Sequence, residues 1–139
     1  MNDDQASVED LVVYTTNYAR TYAGQHDLSI TVRADGPWPP VTLSTMQRRN
    51  VFLVVKEALH NIVKHAQADR VDLRMAWTDR LNLELRDNGI GLPKGADEAA
   101  GNGLRNMRRR ITDLGGTIAV APTSANDNGT CIRFTVPLT

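Results

Sequence analysis

Asp87-Asn88-Gly89-Ile90-Gly91-Leu92 follows an alternating run, Leu81-Asn82-Leu83-Glu84-Leu85-Arg86, closes it with a carboxylate and bends through two glycines. Apolar and polar residues in strict alternation make a half-buried strand. A carboxylate at the mouth of the next turn can accept a hydrogen bond from an exocyclic amine. Glycines beside it let a flat ligand approach the backbone where a Cβ would clash. That set suits a purine. Asp-Asn-Gly is also an ordinary turn sequence, so the flanking segments must decide between the two.

Working outward, Val71, Leu73, Met75 and Trp77 alternate with polar residues, and Thr78-Asp79-Arg80 joins them to the run at Leu81 as a hairpin. Further upstream, Ser44 with Gln47 three residues later forms a capping box, and a helix should run from there to about Ala66. Leu28, Ile30 and Val32 mark another strand, and Pro37-Trp38-Pro39-Pro40 a stiff connector. From Val8, the spacing of Leu11, Val12, Thr15, Ala19 and Tyr22 is helical, with Gly24 as the stop. Downstream, Leu92 to Gly103 is rich in small residues and reads as a mobile loop. Leu104, Met107, Ile111 and Leu114 form a helical stripe stopped by Gly115-Gly116. Ile118 and Val120 mark one more strand. Ile132, Phe134 and Val136 mark the last, after the turn Asn126-Asp127-Asn128-Gly129. The expected fold is α/β: a two-layer sandwich of a mixed, mainly antiparallel sheet of about five strands, one face wet and the other covered by three helices.

The chain has 139 residues, enough for one domain with a single core. Sixteen basic residues balance sixteen acidic ones, which argues against a dedicated nucleic-acid binder. Cys131 is the single cysteine, so there is neither an internal disulfide nor a cysteine metal cluster, and a reducing cytoplasm is compatible. No apolar run reaches membrane-spanning length and the N-terminus lacks a signal-peptide layout. A soluble domain without membrane contact is expected, compatible with being a piece of a larger chain.

The second helix carries more than its core stripe of Val51, Val55, Ala58, Leu59, Ile62 and Ala66. At 100° per residue, Glu57, Asn61, Lys64 and His65 share another arc of roughly 100°. The acid and the amide oxygen suit a hard cation such as Mg²⁺, and the ammonium and imidazole suit phosphate oxygens. A solvated helix face accounts for the same four residues. Gly101-Asn102-Gly103 lies directly before a helix, where unpaired N–H groups and the helix dipole make an anion site. A glycine hinge in a flexible loop reads the same way, and the spacing is neither a P-loop nor a dinucleotide fingerprint.

In this order the pieces resemble the ATP-binding catalytic domain of bacterial sensor histidine kinases, a member of the Bergerat-fold group shared with gyrase and Hsp90-type ATPases. The resemblance runs from about Val8 to Leu138. Glu57-Ala58-Leu59-His60-Asn61-Ile62-Val63-Lys64-His65-Ala66 looks like the family's N box. Asp87-Asn88-Gly89-Ile90-Gly91 looks like its first glycine box and Gly101-Asn102-Gly103-Leu104 like its second. Gly129-Thr130 resembles the pair that opens the last strand. The Lys64-His65-Ala66 ending and the run from Gly103 to Arg110 are most similar to the subfamily working with LuxR-type response regulators.

The resemblance implies ATP and Mg²⁺ as ligands. Asp87 would accept from the adenine amino group, supported by Thr130. Gly89 and Gly91 would admit the base, with Ile90 and Leu92 as apolar cover. Asn61 would hold Mg²⁺ against the phosphates with Glu57 close by, and Lys64 and His65 would touch phosphate oxygens; Glu57, Asn61 and Lys64 form the expected catalytic set. Gly101 and Gly103 would let a lid close, and amides near Leu104 would meet phosphates. Arg105 is a weaker phosphate candidate. The implied activity is presentation of the γ-phosphate of ATP to a histidine on a separate dimerisation domain, in the cytoplasm, with a LuxR-type regulator downstream. A parent kinase anchored in the membrane is compatible with this.

Residues 1–139 are read as that one domain, with the dimerisation and phosphoacceptor part missing. His26-Asp27 superficially resembles an acceptor pair, but no helical hairpin follows it, and His60 is expected at the surface. Autophosphorylation of this chain alone is therefore not expected. An anti-sigma factor or serine kinase of the same fold is the alternative, disfavoured by the similarity to LuxR-partner kinases. A gyrase-like motor would need a transducer domain that this length excludes. A degenerate domain is disfavoured by Asp87, Asn61 and the four glycines.

Overall fold

The computed structural model describes residues 6–90, 102–122 and 129–138, and at 65, 66 and 102 the backbone alone. Two capping boxes start the first two helices. In α1 (Val8–Gln25), Ser7 Oγ accepts from the Asp10 N–H and the Asp10 carboxylate accepts from the Ser7 N–H. In α2 (Thr45–Asn61), Ser44 and Gln47 reciprocate in the same way, as the sequence predicts. A further described helix, α3 (Asn102–Asp113), is stopped at Gly115, whose φ of +76° favours glycine. The Gly115 N–H donates to Thr112 O and the Gly116 N–H to Ile111 O, a Schellman pair that satisfies two last-turn carbonyls.

Among the described residues, seven strands accompany these helices. A two-residue pair, β1 (Ala6–Ser7) and β3 (Thr42–Leu43), ties the start of α1 to the approach to α2. The main sheet contains β2 (Ser29–Asp35), β4 (Arg70–Trp77), β5 (Leu81–Asp87), β6 (Thr117–Pro122) and β7 (Thr130–Val136). Its order is β2-β4-β5-β7-β6. The β2–β4 pair is parallel and the other three are antiparallel, so the sheet is mixed and mainly antiparallel as expected.

Strand alternation fills the core. Register aligns Met75, Leu83 and Phe134 in one buried row and Leu73, Leu85 and Ile132 in the next. Val51, Val55 and Leu59 of α2 and Leu104, Met107 and Ile111 of α3 belong to the same cluster. Each such side chain contributes roughly 1.5–3 kcal/mol on burial. On the wet face, Glu84 pairs with Arg86 on its own strand and with Arg133 on β7. Burial alone would raise the Glu84 carboxyl, but the two guanidinium groups hold it below the ordinary value. Such exposed pairs stabilise by about 1 kcal/mol or less, so the core row decides the pairing.

Three local features depart from expectation. Gly24 does not stop α1, which continues to Gln25; the chain reverses at Asp27, with φ of +55°. The second helix is α-helical only to Asn61. Ile62–Ala66 is a π-helical turn closed by Gln67 in the left-handed region. Hydrogen bonds of the i→i+5 type widen that turn, so the 100° step describes α2 through Asn61 and not the backbone of the turn that follows. The β1–β3 pair is too short to show an alternation. Among the described residues, no helix is long and apolar enough to cross a membrane.

Candidate functional site

Asp87 ends β5 and is 5% exposed. Its Oδ1 accepts from the Gly89 N–H at 2.9 Å, a turn two residues on, and from the Thr130 N–H at 3.3 Å. The second bond exists because β7 pairs with β5, with Cys131 opposite Arg86, so the first residue of β7 arrives beside the strand end. Burial pushes the Asp87 carboxyl above its ordinary value, and the Gly89 and Thr130 N–H groups pull it part of the way back. Thr130 and Gly89 are themselves buried, whereas Ile90 is 57% exposed.

Asn88 does something its sequence position did not announce. Its Oδ1 accepts from the N–H groups of Asp69 and Arg70 at 3.1 and 3.0 Å, and its Nδ2 donates to Asp69 Oδ1 at 2.6 Å. Its own N–H donates to Arg70 O. The residue after Asp87 therefore clamps the start of β4, where the chain leaves the π turn of α2. Asparagine mimicking a backbone unit was the available signal, but its partners lie 18 and 19 residues away.

A second group forms where α2 meets α3. Glu57 and Asn61 are half-buried on α2. Gly103, in the first turn of α3, lies so close that an ideal Cβ there would stand 2.8 Å from Glu57 Oε1. It would stand 3.3 and 3.4 Å from Asn61 Nδ2 and Oδ1. A helix N-terminus, with unpaired N–H groups and a positive dipole end, thus abuts a carboxylate and an amide. Buried Asn50 braces this joint by donating from Nδ2 to Arg110 O at 3.0 Å, a contact across 60 residues that sequence patterning did not find.

The structure accordingly brings Glu57, Asn61 and Gly103 together, and Asp87, Gly89 and Thr130 together. Residues 62–70, with the π turn and its clamped exit, join the two groups. Lys64 is exposed in that turn; the backbone of His65 shares the turn, and its side chain is outside the description. The Leu104 side chain packs in the core, which leaves its backbone for any ligand contact. Gly91, Leu92, Gly101 and the loop expected to be mobile lie outside the described residues. His60 is half-buried, not fully exposed, and stacks on Tyr22 with centroids 4.9 Å apart. Among the described residues, no cluster of three or more His, Cys, Asp or Glu side chains could hold a metal ion.

Residues 46–139 match the family of histidine kinase-, DNA gyrase B- and HSP90-like ATPases, and the chain belongs to that family. Over 97 residues it is 42% identical to the signal transduction histidine-protein kinase/phosphatase UhpB of Salmonella typhimurium, an overlap of 68% of this chain and 18% of that protein. Over 104 residues it is 30% identical to the nitrate/nitrite sensor protein NarX of Escherichia coli, covering 74% and 17% of the two chains. The chain therefore spans about a fifth of these curated relatives. Among solved structures, it is similar to the histidine kinase domain of a blue-light activated histidine kinase of Erythrobacter litoralis. The TM-score is 0.79 at 23% identity, covering 99% of this chain and 65% of that one. Full-length ShkA in complex with AMPPNP gives 0.75 at 20% identity, over 100% and 32% of the two chains. At these identities the structural likeness establishes the fold.

Proposed function

We propose that this chain is the ATP-binding catalytic part of a sensor histidine kinase, which presents the γ-phosphoryl group to a histidine on a separate dimerisation domain. The observation that carries the proposal is Gly103 against Glu57 and Asn61. Phosphate oxygens favour the N–H groups of the first turn of α3, yet the Glu57 carboxylate repels them. A hard cation would offset that repulsion, and the Asn61 amide oxygen and the Glu57 carboxylate are hard donors of the kind Mg²⁺ takes. The donor set fits the ion, and Asn61 would hold it. When bound, Mg²⁺ supplies charge neutralisation of the phosphate chain.

The chain's own residues do the rest. Asp87, fixed by Gly89 and Thr130, accepts from the adenine amino group, with Ile90 and Leu92 as apolar cover and Gly89 and Gly91 admitting the base. Lys64 and His65 meet phosphate oxygens at the π turn. Gly101 and Gly103 close the second glycine segment over them, with the backbone N–H of Leu104 facing phosphate. Residues 1–139 act as one such domain, the phosphoacceptor histidine residing on another domain, and the downstream partner is a LuxR-type response regulator. Similarity to UhpB, named as a signal transduction histidine-protein kinase/phosphatase, and to NarX, named as a nitrate/nitrite sensor protein, supports the kinase reading.

Calorimetry on the 139-residue chain tests it. A hydrogen bond to a charged group contributes about 1.5–3 kcal/mol, so Asp87→Ala should weaken ATP and ADP alike by roughly 10- to 150-fold. Asn61→Ala should instead shrink the strengthening that Mg²⁺ gives to ATP and leave metal-free binding nearly constant. Unchanged ATP affinity in a folded Asp87→Ala protein would overturn the adenine assignment. Equal losses with and without metal would remove Asn61 from the ion. Acid-labile phosphate on His26 of the chain alone would overturn the need for a separate acceptor.

A further inference from the structure

A different surface runs along the outer side of α1 and α2. Five rings follow one another in the groove between the helices. Tyr14 and Tyr18 each lie 5.0 Å from Phe52 by ring centroids, Tyr18 lies 5.9 Å from Tyr22, and Tyr22 lies 4.9 Å from His60. Tyr14 is 61% exposed and the other four are half-buried. At its N-terminal end the groove opens into a cleft of about 440 Å³ whose lining includes Leu11, Tyr14, Arg48, Arg49 and Phe52. Val13 and Met46 add exposed apolar surface on the same two helices. From Tyr14 to Tyr22 the strip is about 12 Å long at helical rise, and partly exposed aromatic surface beside basic side chains is the kind of surface an interaction site offers.

Charge selects the occupant. Between Thr45 and Lys56, α2 has Arg48, Arg49 and Lys56 and no acidic residue. The α1 rim is mixed, with Glu9, Asp10 and Arg20 exposed; Asp10 lines the cleft and accepts from the Ser7 N–H. A second copy of this chain would set one basic α2 rim near another, which is unfavourable. A groove between two packed helices takes a third helix by ridge-and-groove packing. We infer that this groove docks an acidic amphipathic helix of a partner domain, with its apolar stripe on the ring strip and its carboxylates toward Arg49 and Lys56. The inference stands independently of the nucleotide assignment. It has a consequence for it, because the strip ends at His60, next to Asn61, and a helix seated there bears on the helix that carries the candidate site.

The test uses a fluorescently labelled synthetic helix of about five turns, with leucine at every third and fourth position and glutamate elsewhere, titrated with the 139-residue chain by anisotropy. Two controls share its length: one scrambled in order, the other with lysine for glutamate. The acidic helix should bind and both controls should bind at least about 10-fold more weakly, a difference of roughly 1.4 kcal/mol. Tyr14→Ser combined with Arg49→Glu should weaken the acidic helix by a similar factor while circular dichroism stays unchanged. Equal binding of the scrambled peptide means charge alone and overturns the groove. Equal binding of the lysine peptide overturns the acidic partner, and no binding, or binding indifferent to the double variant, overturns both. Self-association in sedimentation that Tyr14→Ser abolishes would assign the groove to a second copy and overturn the proposal.

Discussion

Burying a carboxylate costs stability unless hydrogen bonds offset it, and at Asp87 two backbone N–H donors offset part of that cost. Its carboxyl lies above the ordinary value of 3.8. Between the ordinary and the raised value the folded state binds more protons than the unfolded one. Stability therefore falls as pH rises through that window, and the full cost is present above it. Asp87→Asn keeps an oxygen for Gly89 and Thr130 but removes the buried charge. It should melt at a higher temperature than the parent at neutral pH, with the gap closing as pH drops toward and below the ordinary aspartate value. The same variant should bind adenine nucleotides more weakly, because an uncharged oxygen is the weaker acceptor. Melting curves across pH check the first half, and a parent more stable than Asp87→Asn at neutral pH would contradict it. Asp87 and Gly89 were legible because a strand pattern ends at one and turns at the other. The contacts of Asn88 and Asn50 were not, since partners 19 and 60 residues off leave no local pattern.

Two glycines of α3 and its exit make a contrast at the level of elements. A Cβ at Gly116 would collide with the Thr135 carbonyl oxygen of β7 and reach within 3.0 Å of Ile111 Cγ2. Neither the strand backbone nor the buried isoleucine can retreat cheaply, so Gly116→Ala should destabilise by about 3 kcal/mol. A Cβ at Gly103 meets the tip of the Glu57 side chain, which can swing away. Gly103→Ala should cost less than about 1 kcal/mol of stability yet weaken Mg²⁺-ATP binding by displacing that carboxylate. Urea denaturation and calorimetry on both variants separate the two effects; similar stability losses would contradict the joint described here. Helix starts were legible because capping boxes are local, and strands because alternation is. The π turn was not, because Ile62-Val63-Lys64-His65-Ala66 has ordinary helical composition and its i→i+5 bonding leaves no side-chain period.

For the whole molecule, alternation tells which strand face is buried but not which strands are neighbours. The layer architecture was therefore legible and the order β2-β4-β5-β7-β6 was not. That order sets β7 between β5 and β6, and β7 alone delivers the Thr130 N–H to Asp87. A ribosome builds the chain from its N-terminus, so until residues 130–136 clear the exit tunnel, β5 and β6 are both open edges. Long-range closure of this type is a late folding step. Nascent chains arrested before Thr130 should remain sensitive to protease, and chains arrested after Val136 has emerged should gain resistance in one step. Pulse proteolysis of staged ribosome-bound chains measures this, and full resistance before Thr130 would contradict it. Premature termination upstream of β7 would then release fragments that are cleared by proteases, instead of half-built modules that sequester nucleotide in the cell.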